Sequence, residues 1–334
     1  MFRFVDGRAT LIAEIGGNHE GDLSKAKDLM FQAHEAGADI VKFQSYSGEG
    51  LVNKKLRLDR YNHFSRFMLT DDEWIDLAET AKNNEINFAS SIWEKRYFDL
   101  LDKYICIYKV GSGDLSNHEL MRCFISTKKS IVLSTAMSSI DQIRQTYEFI
   151  LGQDKMIIEE DRLAILQCTA MYDDPSYLHV NLLAMTQLER EFGCLVGFSN
   201  HAVGTNATIA SIALGAKVVE FHFTDSKNSD FRDHKLSFDA ADVRDVVSFN
   251  NEFISMLGNS TKTVHPSEVI NETEFRRGVY FNRPIQKGEI VQVDDLAFLR
   301  PELGISMWNL NKIVGKTTQK DISPLEILDM EFFK

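Results

Sequence analysis

Within the first 260 positions, short apolar runs of β character recur at near-regular intervals with amphipathic stretches between them, and this alternation limits the fold more than any other feature. The runs are TLIAEI (10–15), DIVKFQ (39–44), INFASSI (86–92), ICIYKVGS (105–112), SIVLST (130–135), RLAILQCT (162–169), CLVGFS (194–199) and KVVEFHF (217–223). Helical spacing of apolar residues marks LSKAKDLMFQAHEAG, DDEWIDLAETAKNN, SIDQIRQTYEFILG and GTNATIASIALGAK, the last with Gly215 at the C-cap position. A further helical stretch, DAADVRDVVSFNNEFISML, follows the eighth run. Eight such units in about 260 residues are the number and size that close a (β/α)8 TIM barrel. A doubly wound open sheet would give the same alternation, but it usually carries a Gly-rich phosphate turn after its first strand. Here that turn is GGNHEGD, without G-x-G-x-x-G.

The rest of the chain has a different character. Of five prolines only Pro175 precedes position 260, whereas Pro266, Pro284, Pro301 and Pro324 crowd the tail. The polar segment NSTKTVHPSEVINETE has no sustained apolar period and reads as a linker. The expected organisation is a barrel over 1–260, a linker over 261–275 and a small β-rich domain over 276–334. That last domain has little core of its own by size alone and is expected to gain stability on a partner surface. YNHFSRFMLT reads as a packed loop, and DDEW and VDDL as helix starts.

Composition removes several classes of function. At 44% hydrophobic and 26% charged the chain can bury an ordinary core, which excludes a disordered or collagen-like protein. A formal charge of −12 argues against a general nucleic-acid binder, although a few local cations suffice for a phosphorylated metabolite. Cys106, Cys123, Cys168 and Cys194 form no C-x-x-C pair and are expected to be reduced thiols. No apolar stretch reaches ~18 residues, and MFRFVDGRAT lacks a signal-peptide layout. The expectation is a soluble cytoplasmic enzyme that acts on small molecules, without a nucleic-acid or membrane partner.

In a TIM barrel the C-terminal strand ends face the substrate, and positions i and i+2 point the same way. Lys42 and Gln44 end the second run, Lys109 the fourth, Ser134 and Thr135 the fifth, Cys168 and Thr169 the sixth, Ser199 and His201 the seventh, and Glu220 and His222 the eighth. Gly111, Ser112, Gly113 and Asp114 follow Lys109. A lysine in an apolar run needs a charged partner. Lys42 and Lys109 therefore either face one anionic ligand, such as a phosphate with a carboxylate, or pair with Glu14, Asp114 or Glu220 in a structural network. His201 and His222, on neighbouring strand ends, either share one metal ion, with positions open for water and a carbonyl oxygen, or are satisfied core histidines. His19 in GGNHEGD is a third histidine to weigh, either as a ligand or as a loop cap.

The ordered motifs AEIGGNHEGD, VKFQ, YKVGSGD, LSTAM, QCTAMY, GFSNH and EFHFTD, with the tail RRGVYFNRPIQKGEIVQVDDLAFLRP, resemble the N-acetylneuraminate (sialic acid) synthase family with its C-terminal antifreeze-like, or SAF, domain. The resemblance spans essentially the whole chain. It implies a nonulosonic acid synthase that condenses phosphoenolpyruvate with an N-acylated amino sugar. It also implies a divalent metal, Mn2+ ahead of Mg2+ or Co2+, on His201 and His222. Phosphoenolpyruvate contacts carry over to Lys42, Ser91, Lys109, Ser112, Ser134 and Ser199, and sugar contacts to Gln44, Tyr172, Glu220 and Asp233. Glu14 and Asp114 match acidic positions near the reacting centre, so Glu14, Asp114, Glu220 and Asp233 form the expected acid set. Arg300 matches the arginine that reaches the partner's barrel mouth in a homodimer. Five departures stand out: Asn200 for an acid, Asp114 for glutamate, Ala170 for asparagine, Phe231–Arg232 for Gly-Pro, and Ile92–Trp93 for Pro-Phe. They cluster on the sugar side, so the acceptor stays open. Two other readings remain: a phosphoenolpyruvate-dependent 3-deoxy-sugar-acid synthase, which the SAF-like tail argues against, and a non-catalytic sugar-binding protein on the same fold.

Overall fold

The computed structural model describes residues 2–4, 7–172 and 176–334; Pro175 lies outside them. Eight parallel strands close into a barrel in chain order: β1 (Thr10–Glu14), β2 (Ile40–Ser45), β3 (Phe88–Ile92), β4 (Ile107–Val110), β5 (Ser130–Ser134), β6 (Leu163–Cys168), β7 (Leu195–Asn200) and β8 (Val218–His222). The expected TIM barrel is thus the observed one. Closure of β8 on β1 sets the geometry of everything above it. The register pairs Glu14 with both Lys42 and His222, Gln44 with Ser91, Ser91 with Lys109, and Ser199 with Glu220. The polar residues of separate strands therefore meet at one level.

Below that level the interior is dry. Ile12, Ile40, Ala89, Ile107, Val132, Ala164, Leu166 and Val218 form one fully buried cluster inside the ring. Such a plug leaves the charged layer above it no access to water from beneath. Gly197 on β7 is required by a close approach, since a Cβ there would meet the Val218 carbonyl oxygen at 1.9 Å and Leu166 Cδ2 at 2.6 Å. Any side chain would force β7 away from β8, the two strands that carry the histidines.

The longer helices that follow the strands bury an apolar stripe each against the ring. Helix Asp71–Asn83 begins at Thr70 with a capping box to Glu73 and buries Trp74, Leu77, Ala78 and Ala81, so DDEW is a helix start as expected. VDDL instead forms a short 3-10 turn, Val293–Asp295. YNHFSRFMLT is not a loop, because Leu58–Phe67 is helical. Only Phe67 of that helix is buried, so its sequence lacks the repeating apolar stripe by which a helix is recognised. Its packing comes from distant aromatics: Phe64 meets Tyr46 with ring centroids 5.2 Å apart, and Phe67 meets Phe231 at 4.7 Å.

The chain divides into two compact units, 1–258 and 259–334. In the second, β9 (Gly278–Phe281) pairs antiparallel with β10 (Leu296–Leu299). This unit has more core than its length suggests: Val279, Phe281, Ile285, Val291, Leu296, Ile305, Ile313, Ile322 and Leu328 are all buried together. The polar stretch read as a linker includes a helix, Val269–Phe275, entered through a 3-10 turn at Pro266. The four cysteines are free thiols. Among the described residues no helix is long and apolar enough to cross a membrane.

Candidate active site

The strand register builds a buried box of charge. Lys42 on β2 is ion-paired with Glu14 of β1, lies 3.4 Å from Glu220 Oε1 and donates to Ser91 Oγ at 3.1 Å. Lys109 on β4 lies 3.3 Å from Glu220 Oε2 and donates to Ser134 Oγ at 2.6 Å. Ser199 Oγ donates to Glu220 Oε2 at 2.7 Å, and Gln44 Nε2 donates to Glu14 Oε1 at 2.6 Å. Both lysines and both glutamates are at most 6% exposed. The network and the anion site foreseen as alternatives thus involve the same two cations.

Burial at that depth sets the charges against one another. Desolvation pushes the Glu14 carboxyl up to about 7, against the pull of Lys42. The same desolvation acts on Glu220, but Lys109 and Lys42 outweigh it and keep that carboxylate well below the usual range. Lys42 also overcomes its burial, because Glu14 and Glu220 hold its ammonium above the ordinary value. Glu220 is the anion held between two lysines, and Glu14 is the carboxyl whose burial opposes its ionisation.

Beside the box stand the histidines, with ring centroids 5.3 Å apart. His222 is buried, which lowers its basicity to about 4, and its Nδ1 has no hydrogen-bond partner among the described residues. A neutral imidazole with an unpartnered nitrogen is a ready metal ligand. His201 Nε2 lies 3.2 Å from Tyr172 Oη, while its Nδ1 lies 3.6 Å from Cys168 Sγ. Burial opposes the charged form of His201, but Cys168 and Glu220 hold it above its ordinary value. Among the described residues no group of three or more His, Cys, Asp or Glu side chains is arranged to hold a metal. Of the pair, His222 Nδ1 is the open donor, while both ring nitrogens of His201 have neighbours. His19 is not part of this set: its Nδ1 accepts from Gly21 N at 3.1 Å, which makes it a loop cap.

The opposite wall comes from the segment after β8. Asp233 is buried and accepts from Arg232 Nε at 2.9 Å, and the Arg232 guanidinium covers the Tyr172 ring at 3.9 Å. Phe231 closes over Gly17, where a Cβ would meet its ring at 2.8 Å. Other expected residues stand apart. Ser112 Oγ accepts from Ala136 N at 3.0 Å, and Asp114 accepts from Asn117 Nδ2 at 3.3 Å beneath Trp93 and Leu120. The chain turns into a 3-10 helix after β4, and neither residue bonds to the box. Arg300, in the second unit, has a ring contact with Phe275 at 5.8 Å and no ion pair among the described residues; Asp295 is held by Arg283.

The NeuB family model matches residues 29–262, and the SAF domain model matches residues 276–334. The chain belongs to the NeuB family. It is a carbon–carbon bond-forming transferase of the N-acetylneuraminate synthase kind, with a C-terminal SAF domain. N,N'-diacetyllegionaminic acid synthase of Campylobacter jejuni is 30% identical over 334 residues, covering 96% of this chain and 99% of the relative. Pseudaminic acid synthase of Campylobacter jejuni is 28% identical over 335 residues, covering 95% and 94%. The structure of N-acetylneuraminic acid synthetase from Leptospira borgpetersenii superposes with a TM-score of 0.72 at 22% identity, over 79% of this chain and 90% of that one, and supports the fold.

Seen as a NeuB-family barrel, the site has two features that motif reading missed. Asn200 accepts from Ala202 N at 3.0 Å and donates to the Ala202 carbonyl at 3.2 Å, so it closes the loop behind His201 rather than orienting the imidazole. An acid could accept there but could not donate. Cys168, read as a core thiol, is the neighbour of His201 Nδ1. Its place beside Thr169 at a strand end was the available signal.

Proposed function

We propose that this NeuB-family enzyme condenses phosphoenolpyruvate with the open-chain aldehyde of an N-acylated amino sugar, giving a nonulosonic acid and inorganic phosphate. The observation that carries the reading is the box itself: two buried ammonium groups, each next to a serine hydroxyl, share one fixed carboxylate, with two imidazoles alongside. Glu14 and Glu220 hold Lys42, and Glu220 holds Lys109, at fixed places in a buried cavity. An entering phosphate with its carboxylate meets donors already in position, which is electrostatic preorganisation.

In the condensation, C3 of phosphoenolpyruvate bonds to the aldehyde carbon and the aldehyde oxygen takes a proton. Water adds at C2, the C2–O bond to phosphorus breaks, and phosphate leaves with the bridging oxygen. Lys42, Lys109, Ser91, Ser134 and Ser199 hold the donor, with Ser112 at the edge. Gln44, Tyr172 and Asp233 face the acceptor. Glu14 and Glu220 are the acids nearest the reacting carbons, and Glu14 is the one suited to proton transfer. His201 and His222 would hold a divalent cation, Mn2+ by preference, which supplies Lewis-acid polarisation of a carbonyl. Asp114 has a structural place in this reading, beside Trp93 and away from the box. Loss of phosphoenolpyruvate that requires both Mn2+ and an N-acyl hexosamine tests the proposal. Turnover that ignores the acceptor would refute it.

We also propose a homodimer in which the SAF domain of one chain covers the barrel mouth of the other and brings Arg300 to the acceptor. The support is an arginine without an acidic partner in its own unit and a planar fork suited to hydroxyl or carboxylate groups. Mixing Arg300→Ala chains with His222→Ala chains is expected to restore activity, since each heterodimer then has one intact site. A mixture as inactive as either variant alone, or a monomer by sedimentation, would overturn the trans arrangement.

A further inference from the structure

The acceptor wall holds a cation that the donor box does not use. Arg232 opens the 3-10 turn Arg232–Leu236, and its guanidinium is fixed on one edge by Asp233 and on one face by the Tyr172 ring. Tyr172 Oη in turn lies 3.2 Å from His201 Nε2, so the arginine sits one side chain away from the paired imidazoles. Only Nε is engaged; the two terminal nitrogens carry no hydrogen bond or ion pair among the described residues, and the side chain is 49% exposed. A guanidinium immobilised on two sides with its outer edge free is a prepared fork for a bidentate anion.

The surrounding charge points the same way. Phe231, the residue before Arg232, packs on His63 and Phe67 of helix Leu58–Phe67, with ring centroids 5.8 and 4.7 Å away. That helix also carries Arg60 and Arg66, which rest over Phe64 and Phe67 and form no ion pair among the described residues. At His63 the charges of Arg232, Arg60 and Arg66 act in the same direction, and Asp233 opposes them.

We propose that the acceptor sugar carries an anionic group, phosphoryl or carboxylate, on the part remote from its aldehyde, and that Arg232 is the residue that selects it. The proposal rests on the condensation reading above. Arg232 would contact the anion through its two terminal nitrogens, while Nε keeps Asp233 in place. A role limited to bracing Asp233 and Tyr172 would need only Nε and the flat face, and would not distinguish charged from neutral acceptors.

The test measures kcat/KM at saturating phosphoenolpyruvate and Mn2+ for N-acetylmannosamine, its 6-phosphate and the corresponding N-acetylated uronic acid. Wild-type enzyme is expected to prefer one anionic acceptor over the neutral sugar by at least about tenfold, and the two charged arms tell which anion it is. Arg232→Met should lower kcat/KM for that acceptor by about ten- to a hundredfold, the usual worth of a charged hydrogen bond. The neutral sugar should lose clearly less than the anionic one, the KM for phosphoenolpyruvate should stay near its wild-type value, and Arg232→Lys should recover part of the loss. A wild-type preference for the neutral sugar, or an equal loss on all three acceptors in Arg232→Met, would overturn the proposal and leave the condensation intact. If no acceptor supports loss of phosphoenolpyruvate, the condensation reading itself falls, and this proposal with it.

Discussion

Replacing Lys42 with Met is expected to raise the KM for phosphoenolpyruvate by about ten- to a hundredfold, the range for losing a charge-assisted contact in a buried site. Methionine keeps most of the volume and removes the charge, so the change reports on electrostatics rather than packing. The same substitution leaves Glu14 and Glu220 buried with Lys109 as the remaining cation. Breaking a buried pair costs up to about 3–5 kcal/mol. Because burial already pushes Glu14 up to about 7, that carboxyl can protonate and relieve part of the cost. A second variant separates the two effects: Glu14→Gln with Lys42→Met is expected to regain thermal stability while the donor KM stays high. Lys109→Met should raise the KM similarly. An unchanged KM in both single variants would make the box purely structural.

His222→Ala is expected to fold with a melting temperature near that of the wild type and to lose Mn2+-dependent turnover. Its Nδ1 has no hydrogen-bond partner among the described residues, so truncation orphans no buried group at that atom. Loss of one of two protein ligands should weaken Mn2+ by more than about a hundredfold, since even removing a partner of a ligand costs 10–100-fold. Titration of Mn2+ against the apo-protein, followed by calorimetry, gives a readout independent of activity. Equal affinity in wild type and variant would show that the ion binds elsewhere. Asn200, which is tied to the Ala202 backbone, gives the site no extra negative charge, so modest retention of the metal is expected even in the wild type.

Most of the barrel was legible because its strands are short apolar runs separated by helices with clear stripes. Each run overlaps a strand, although ICIYKVGS ends as β4 at Val110 and not at Ser112. That shift matters, because Ser112–Asp114 form a 3-10 turn in which Asp114 bonds to Asn117. Motif order marked Asp114 as an acid of the site but carried no information about the turn. Pairing of the lysines with Glu14 and Glu220 was foreseeable as a set of options, whereas choosing among them required the β8-to-β1 closure. The helix Leu58–Phe67 was missed for another reason. Its aromatics pack on Tyr46, Trp93 and Phe231, so its stability is not encoded in its own periodicity. The role of Asn200 in closing a loop was likewise hidden, since sequence alone reports the change from an acid and not the two contacts its amide makes with the Ala202 backbone.

The central claim is condensation with carbon–oxygen cleavage, and the fate of one oxygen atom tests it most directly. Phosphoenolpyruvate labelled with oxygen-18 at the bridging position would be incubated with the enzyme, Mn2+ and the preferred N-acyl amino sugar, and the products weighed by mass spectrometry. The account predicts that the label leaves entirely in inorganic phosphate, and that the organic product has the combined mass of acceptor and pyruvate. Label retained in the organic product, or phosphate released without that product, would contradict it.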